Sequence, residues 1–296
     1  MSKPTICITG ATGNIGLETL RFLSSHFAGE FHLVAAVTSP TNAQSAIGLD
    51  EVEYRRFDMT DSSTFADPSA GVFAGVERML LVRPPQISDV PRYIAPIITA
   101  AKQAGVQHIV FLSLQGVESN TRTPHYAIEQ LLRASGMEWT FLRPAFFMQN
   151  LSTTHAQEIA ARNEIFVPAG NGKTNFIDAV DIGEAAARVL AAPQRHVNAA
   201  YDLTGKSSLT YNEIAAILSR ELGRIITYTN PSKIRFFWRT WRGGTSFTFT
   251  LIMIYLYHRT KSGAADVYAP DLERLLGRAP HTFEEFAHAN RAVWVR

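Results

Sequence analysis

Short apolar runs alternate with stretches of helical spacing through the first half of the chain. Thr5–Thr9 is β-rich and leads straight into a glycine-rich turn, after which Leu17–Phe27 carries apolar residues at helical intervals. His32–Val37 is a second apolar strand, Val52–Phe57 a third that alternates, and Met79–Val82 a fourth, stopped by Pro84-Pro85. Tyr93–Ala104 reads as a helix ending at Gly105, and His108–Leu112 as a fifth strand. Tyr126–Ser135 is a helix closed by Gly136, and Glu138–Leu142 a sixth strand closed by Pro144. Strands that alternate with helices over short links specify βαβ units, whose crossovers are right-handed. The expected fold is therefore α/β: a Rossmann doubly wound parallel sheet with helices on both faces.

Further along the chain the pattern loosens. Asp181–Ala191 predicts one more helix, with Asp178 and Asp181 near its start, where the positive dipole end favours carboxylates. Tyr201–Thr204 is a short strand. Thr210–Glu221 is a helix with Thr210 and Glu213 placed for a capping box and Gly223 as its stop. The C-terminal third is richer in Arg, Trp and Phe and reads as a smaller mixed capping domain. The expected division gives residues 1–150 plus about 176–205 to a dinucleotide-binding domain, and about 151–175 plus 206–296 to the cap.

Composition narrows the classes of function. With 296 residues, 46% of them hydrophobic, the chain can build a full α/β core. A formal charge of +2 implies no nucleic-acid partner, and basic residues concentrate only in Lys233–Arg242. The lone Cys7 lies in the first apolar run, reads as a small core residue, and fits a reducing compartment. Met1–Ile8 is too short for a signal peptide. The longest apolar stretch, Phe247–Tyr257, falls well short of the ~20 residues that span a bilayer. A cytoplasmic protein with no membrane partner is expected. The dispersed histidines and single cysteine give no metal-ligand spacing, and no G-x-S-x-G elbow is present.

The chemistry is concentrated at Thr9–Gly16, which reads T-G-A-T-G-N-I-G. Its glycines follow a strand and open a helix, the context that makes such a motif meaningful. Gly10 permits the tight turn, Gly13 the close approach of backbone to a pyrophosphate, and Gly16 the packing of helix on strand. The pyrophosphate would then meet free N–H groups at the helix N-terminus, with Thr12 and Asn14 as added donors. Asp58, closing the third strand, can accept from an adenine amino group. At the end of the second strand the sequence is Val37-Thr38-Ser39-Pro40, with no acid from Phe31 to Leu49. An NAD site usually carries an acid there. Its absence, with the Thr38 and Ser39 hydroxyls as donors, favours NADP, with NAD as the alternative.

The glycine run, L-L-V-R-P-P (80–85), V-F-L-S-L-Q-G-V (110–117), H-Y-A-I-E-Q-L-L (125–132) and T-F-L-R-P-A-F-F-M-Q-N (140–150) occur in one order with F-I-D-A-V-D-I-G (176–183), Y-D-L-T-G (201–205) and G-R-A-P-H-T-F-E-E-F (277–286). Together they resemble the NmrA-like branch of the atypical short-chain dehydrogenase/reductases. That resemblance implies a Rossmann domain with a smaller substrate cap. It also implies either NAD(P)H-dependent reduction of quinones or dyes, or dinucleotide binding without turnover in regulators and redox sensors. By the same resemblance the cofactor would be lined by Gly10, Ala11, Thr12, Gly13, Asn14, Ile15, Gly16, Thr38, Ser39, Asp58, Met59, Val82, Arg83, Pro84, Ser113, Pro144, Ala145 and Phe146. Gln86, Phe147, Met148, Asn150 and the stretch Phe236–Tyr257, with Phe236, Trp238 and Trp241, would face a substrate.

One family feature is missing. Ordinary short-chain dehydrogenases use Tyr-x-x-x-Lys, the lysine lowering the tyrosine's pKa for proton donation. Here the equivalent helix reads Tyr126-Ala-Ile-Glu-Gln130, and Tyr257-x-x-x-Lys261 comes too late in the chain. His125 is the nearest candidate proton donor, and Tyr126 can position a substrate through its hydroxyl. An acceptor that takes hydride readily, such as a quinone or an electron-poor conjugated ring, needs less acid assistance. The expected function is an NAD(P)H-dependent oxidoreductase for such a small molecule. The alternatives are a non-catalytic NAD(P)-binding redox sensor with a regulatory protein partner, or an isomerase or cyclase on the same fold. A homodimer is compatible with each.

Overall fold

Parallel sheets are covered on both faces, so their strands read as continuous apolar runs. In the computed structural model, which describes residues 3–295, Ile6, Cys7 and Ile8 of the first strand are all fully buried. In chain order the strands are β1 (Thr5–Thr9), β2 (His32–Val37), β3 (Val52–Arg56), β4 (Arg78–Leu81), β5 (His108–Leu112), β6 (Glu138–Pro144), β7 (Phe146–Phe147), β8 (Glu164–Phe166), β9 (Lys173–Ile177), β10 (Ala199–Leu203), β11 (Ser208–Thr210) and β12 (Thr227–Thr229). The helices are α1 (Asn14–His26), α2 (Pro40–Ile47), α3 (Val90–Gln103), α4 (Pro124–Ala134), α5 (Gln149–Ser152), α6 (Ala156–Arg162), α7 (Ala179–Ala191), α8 (Tyr211–Leu222), α9 (Lys233–Arg242), α10 (Phe247–Lys261), α11 (Asp271–Leu276) and α12 (Phe283–Ala289).

The chain divides into two units. The first holds the residues through Pro144, Ala179–Leu203 and Asp271–Arg278. Its seven-stranded sheet runs β10-β6-β5-β4-β1-β2-β3, parallel at every pairing. This is the doubly wound Rossmann sheet, with its order reversing between β1 and β4. Its core includes Phe57, Phe73, Phe111 and Phe141. On the other face α1 lies so close to α7 that a Cβ on Gly183 would come within 2.5 Å of Glu18 Cβ.

Several boundaries differ from the sequence pattern for local reasons. Helix α3 starts at Val90, three residues before Tyr93, because Asp89 accepts from the Arg92 N–H at 3.1 Å and Pro91 suits the first turn. Helix α1 starts at Asn14, inside the glycine motif, where no apolar period marks it. Helix α2 was not visible because it buries only Ala43 and Ile47. Asp271–Arg278 packs with the first unit, whereas the sequence pattern assigned it to the cap. The reason is that Arg278 donates to Asp181 and Glu184 of α7 while Leu272 and Leu276 are buried.

The second unit holds Ala145–Asp178, Thr204–Pro270 and the residues from Ala279 on. It contains a three-stranded sheet, β11-β9-β7, and a two-stranded parallel pair, β12-β8. Phe166, Phe176, Tyr211, Tyr257, Phe286 and Trp294 dominate its core. Thr210 caps α8 in the expected box with Glu213, and Gly223 ends it in the left-handed conformation. No helix of the described residues is long and apolar enough to cross a membrane.

Candidate functional site

The strand order reverses between β1 and β4, and in this architecture the crevice beyond the strands' C-terminal ends at that point takes the ligand. Thr9 fastens the two ends together: its Oγ donates to the Leu80 carbonyl at 3.0 Å and accepts from the Val82 N–H at 2.9 Å. Gly10 follows with φ +63°, a left-handed backbone that favours glycine. The Gly13 N–H donates to the Gly10 carbonyl at 2.9 Å. A Cβ on Gly16 would lie 2.3 Å from that carbonyl oxygen, so only glycine packs there. A Cβ on Gly13 would meet Gly10 O alone, at 3.3 Å, which leaves its other side open.

Ala11 and Ile15 are buried beneath this cradle, while Thr12, Gly13 and Asn14 are exposed. Helix α1 begins without any side-chain cap and without an acid in its first turn. Its first N–H groups and positive dipole end are therefore left for an external anion.

At the end of β2, Thr38 and Ser39 are exposed, and Ser39 starts α2 without using its hydroxyl as a cap. The parallel register sets Arg56 opposite Val37, with the Phe57 N–H donating to the Val37 carbonyl at 2.8 Å. Arg56 pairs with Asp61 at 3.2 Å, and its side chain is 65% exposed. Linear spacing missed this cation, since it lies 18 residues beyond Thr38 and only strand register brings it alongside. Asp58 spends Oδ1 on its own turn, accepting from Thr60 N and Oγ at 2.8 and 2.7 Å; among the described residues Oδ2 takes no donor. Met59 beside it is buried.

Beyond β4, Val82, Arg83 and Pro84 are half-buried and Gln86 is exposed. Arg83 organises this loop: Nη1 donates to the carbonyls of Pro84 at 2.8 Å and Ile87 at 2.6 Å. Its Nη2 lies 3.5 Å from His125 Nε2, and its buried Nε has no hydrogen-bond partner among the described residues. Burial first, and Arg83 second, push the His125 pKa down to about 3. The imidazole is thus held neutral at physiological pH, with Arg83 Nη2 beside its Nε2. Tyr126 is half-buried at the same helix start.

Beyond β5, Ser113 is buried and its Oγ donates to Glu129 Oε1 at 2.6 Å. Glu129 also accepts a bidentate pair from Arg143, Nε to Oε1 at 3.0 Å and Nη2 to Oε2 at 2.7 Å. The Ser113 hydroxyl proton is therefore already committed. Composition offered no signal for this buried pair, but the spacing Ser113…Glu129…Arg143 across two strands and a helix could have. Gln115, whose Nε2 is buried without a partner, also lies here and was not singled out.

The cofactor candidates of the first unit, Gly10–Gly16, Thr38, Ser39, Asp58, Met59, Val82–Pro84, Ser113 and Pro144, thus share one edge of the parallel sheet. The remaining candidates belong to the second unit. Phe146 and Phe147 form β7, paired with Phe176 and Ile177, and Ala145 and Asn150 are half-buried. Met148 and Phe236 are core residues at 2% and 1% exposure, Phe236 packing against Tyr257 at 5.6 Å. Trp238 and Trp241 are exposed. Tyr257 is buried, bonded to His155 at 2.6 Å, and its pKa is raised by burial, the opposite of an activated phenol.

A doubly wound sheet with a glycine cradle at its reversal and an uncapped helix N-terminus defines the Rossmann class of dinucleotide-binding folds. Comparison with known proteins gives the lineage. The chain belongs to the NmrA-like family, whose profile matches residues 2–254. It is 32% identical to the NAD(P)H azoreductase of Xenophilus azovorans over 98% of this chain and 99% of that protein. The crystal structure of the Escherichia coli NADPH-dependent quinone oxidoreductase with NADPH superposes with a TM-score of 0.84 at 26% identity, covering 96% of this chain and 99% of the other. The Citrobacter triphenylmethane reductase gives 0.82 at 26% identity, covering 97% and 99%.

Proposed function

We propose that this chain is an NAD(P)H-dependent reductase, preferring NADPH, that delivers hydride to a small conjugated or aromatic acceptor of the quinone, azo or dye class. The observation that carries the reading is the Gly10–Gly16 cradle ahead of an uncapped α1. The residues fit a pyrophosphate on two counts: the space beside Gly13 is the space that a side chain there would fill, and no acid repels an anion from the first turn. Thr12 and Asn14 add exposed donors. Thr38 and Ser39 would face the adenosine ribose, and strand register brings the positive charge of Arg56 to the same end of the sheet. Asp58 keeps Oδ2 for an adenine amino group. Three named reductases among the similar proteins, acting on azo, quinone and triphenylmethane compounds, support the acceptor class.

When bound, NADPH supplies the hydride. The protein's own part is binding and orientation, since no lysine stands four residues after Tyr126 and His125 is held in its neutral form. Arg83 holds the loop after β4 rigid through three carbonyls, Pro84, Pro85 and Ile87. Its unpartnered Nε is the free donor near His125. An acceptor whose reduced anion is stabilised by conjugation can take its proton from water.

Titration of the purified protein with NADPH, NADP and NADH, followed by nicotinamide fluorescence, tests the first half. Tighter binding of the phosphorylated forms is expected; no binding of any form overturns the reading. Loss of nicotinamide absorbance with a panel of quinones and azo dyes tests the second half.

A further inference from the structure

The second unit carries an outer surface that the reaction proposed above does not draw on, and it includes Trp238 and Trp241, which the family resemblance set facing a substrate. Helices α9 and α10, joined by Gly243–Ser246, pack together through Phe237 and Phe247 at 5.4 Å between ring centroids. Over Phe247–Tyr257 helix α10 presents apolar residues on nearly every side, a composition found in buried helices, and only its last turn is basic. Yet it buries only the stripe Thr250, Met253, Tyr257 and Thr260. Phe247, Leu251, Ile252 and Leu256 on its outer side are 38–56% exposed, and Trp238 and Trp241 of α9 are 46% and 43% exposed. Contiguous exposed apolar residues of this kind mark an interaction surface.

Charge identifies the partner. Between Glu221 and Asp266 the chain has no acidic residue, but it has Arg224, Lys233, Arg235, Arg239, Arg242, Arg259 and Lys261. The whole chain carries only +2, so the positive charge is concentrated on this segment. Arg239 is neutralised by Glu158 and Glu164 at 3.1 and 2.7 Å. Lys233, Arg235 and Arg242 form no ion pair among the described residues. Arg235, Arg239 and Arg242 line a shallow cleft of about 480 Å³ together with Trp238. Cations and indoles beside exposed aliphatic side chains are the composition of helices that lie in a bilayer interface. A second copy of the chain is disfavoured, because a two-fold axis through this face would set arginine against arginine. Leu251, Ile252 and Leu256 match hydrocarbon rather than the phosphates of a nucleic acid.

We propose that α9 and α10 form a peripheral docking surface for an anionic phospholipid bilayer, the arginine–tryptophan cleft taking the headgroup phosphate and the outer side of α10 entering the acyl boundary. At 15 residues α10 is about 22 Å long, enough to lie in the interface and too short to span the core.

The test is co-sedimentation of the full chain with phosphatidylcholine vesicles and with vesicles that also contain phosphatidylglycerol, read alongside tryptophan emission. Trp139 and Trp294 are buried at 8% and 0% exposure, so a blue shift on binding reports Trp238 and Trp241. Binding to the anionic vesicles with a blue shift, weakened by salt, is expected. Arg235→Glu with Arg242→Glu should cut that binding by about tenfold or more. Leu251→Ser with Ile252→Ser should abolish the blue shift at an unchanged melting temperature. Absence of binding, equal binding to the neutral vesicles, or wild-type binding by both variants overturns the proposal. So does a dimer in solution that Leu251→Ser dissociates, or preferential binding of duplex DNA. None of these readouts depends on dinucleotide or turnover, so this inference and the reductase reading stand or fall separately.

Discussion

Gly13 and Gly16 belong to one motif and should respond differently to substitution. A Cβ at Gly16 strikes backbone at 2.3 Å, whereas at Gly13 the only neighbour within 4 Å is one oxygen at 3.3 Å and the backbone is extended. Gly16→Ala should therefore destabilise the fold by about 1–3 kcal/mol, the usual cost of overpacking. Gly13→Val should keep the melting temperature near wild type while weakening NADPH binding by tenfold or more, at least ~1.4 kcal/mol. Thermal denaturation with and without NADPH separates the two; an unstable Gly13→Val that binds normally when cold would reverse the assignment. Arg56 offers a finer test. Arg56→Gln should weaken NADPH more than NADH and flatten the salt dependence of NADPH binding, because only the phosphorylated form presents the charge. Equal losses for both nucleotides would remove Arg56 from the ribose end of the site. The glycines were legible in the sequence because each answers a local backbone demand, but Arg56 was not, since its place depends on which strands are neighbours.

At the level of elements, β5, β6 and α4 are fastened by one buried network. Glu129 is 1% exposed and accepts from Ser113 and from Nε and Nη2 of Arg143, itself buried, whose Nη1 goes to the exposed Glu118. Removing Glu129 leaves Arg143 buried with two N–H groups unpaired and only Glu118 as counter-charge; breaking a buried pair costs about 3–5 kcal/mol, and Glu118 offsets part of it. Glu129→Ala should thus be among the most destabilising changes in the first unit, and Glu129→Gln, which keeps one acceptor, should lose less. Urea midpoints at neutral pH measure this; a Glu129→Ala midpoint equal to wild type would mean that the network contributes nothing net. The six strands β1–β6 and helices α1, α3 and α4 could be read from periodicity, because a buried parallel sheet imposes it. The short strands β7, β8, β9 and β12 could not, since they pair at only two to five positions each. Their segments are held by aromatic packing from distant helices, for which no local signal exists.

For the whole molecule, two histidines with depressed pKa values set an acid limit. His108 in β5 and His125 at the start of α4 have pKa values pushed down from 6.5 to about 4 and about 3, chiefly by burial. The unfolded chain takes up these protons near pH 6.5, while the folded chain does not until the pH is far lower. Their contribution to stability is therefore complete above about pH 6.5 and is lost as pH falls through the window down to 4 and then 3. Glu53, held down at about 2 chiefly by Arg55, adds a loss that begins only below its ordinary 4.5. Stability should fall between pH 7 and pH 5 on account of the histidines alone, with unfolding at pH 5 taking up protons. His108 is the better probe: its Nε2 bonds Thr140 Oγ at 2.8 Å, its Nδ1 has no partner, and the residue is 1% exposed. His108→Gln can keep a bond to Thr140 without the titration, so it should lower stability at pH 7 yet flatten its decline toward pH 5. Urea unfolding of wild type and variant at the two pH values decides the matter. A wild-type stability that does not change between them would show that neither imidazole has its pKa depressed by folding, and would return His125 to the list of ready proton donors for the acceptor.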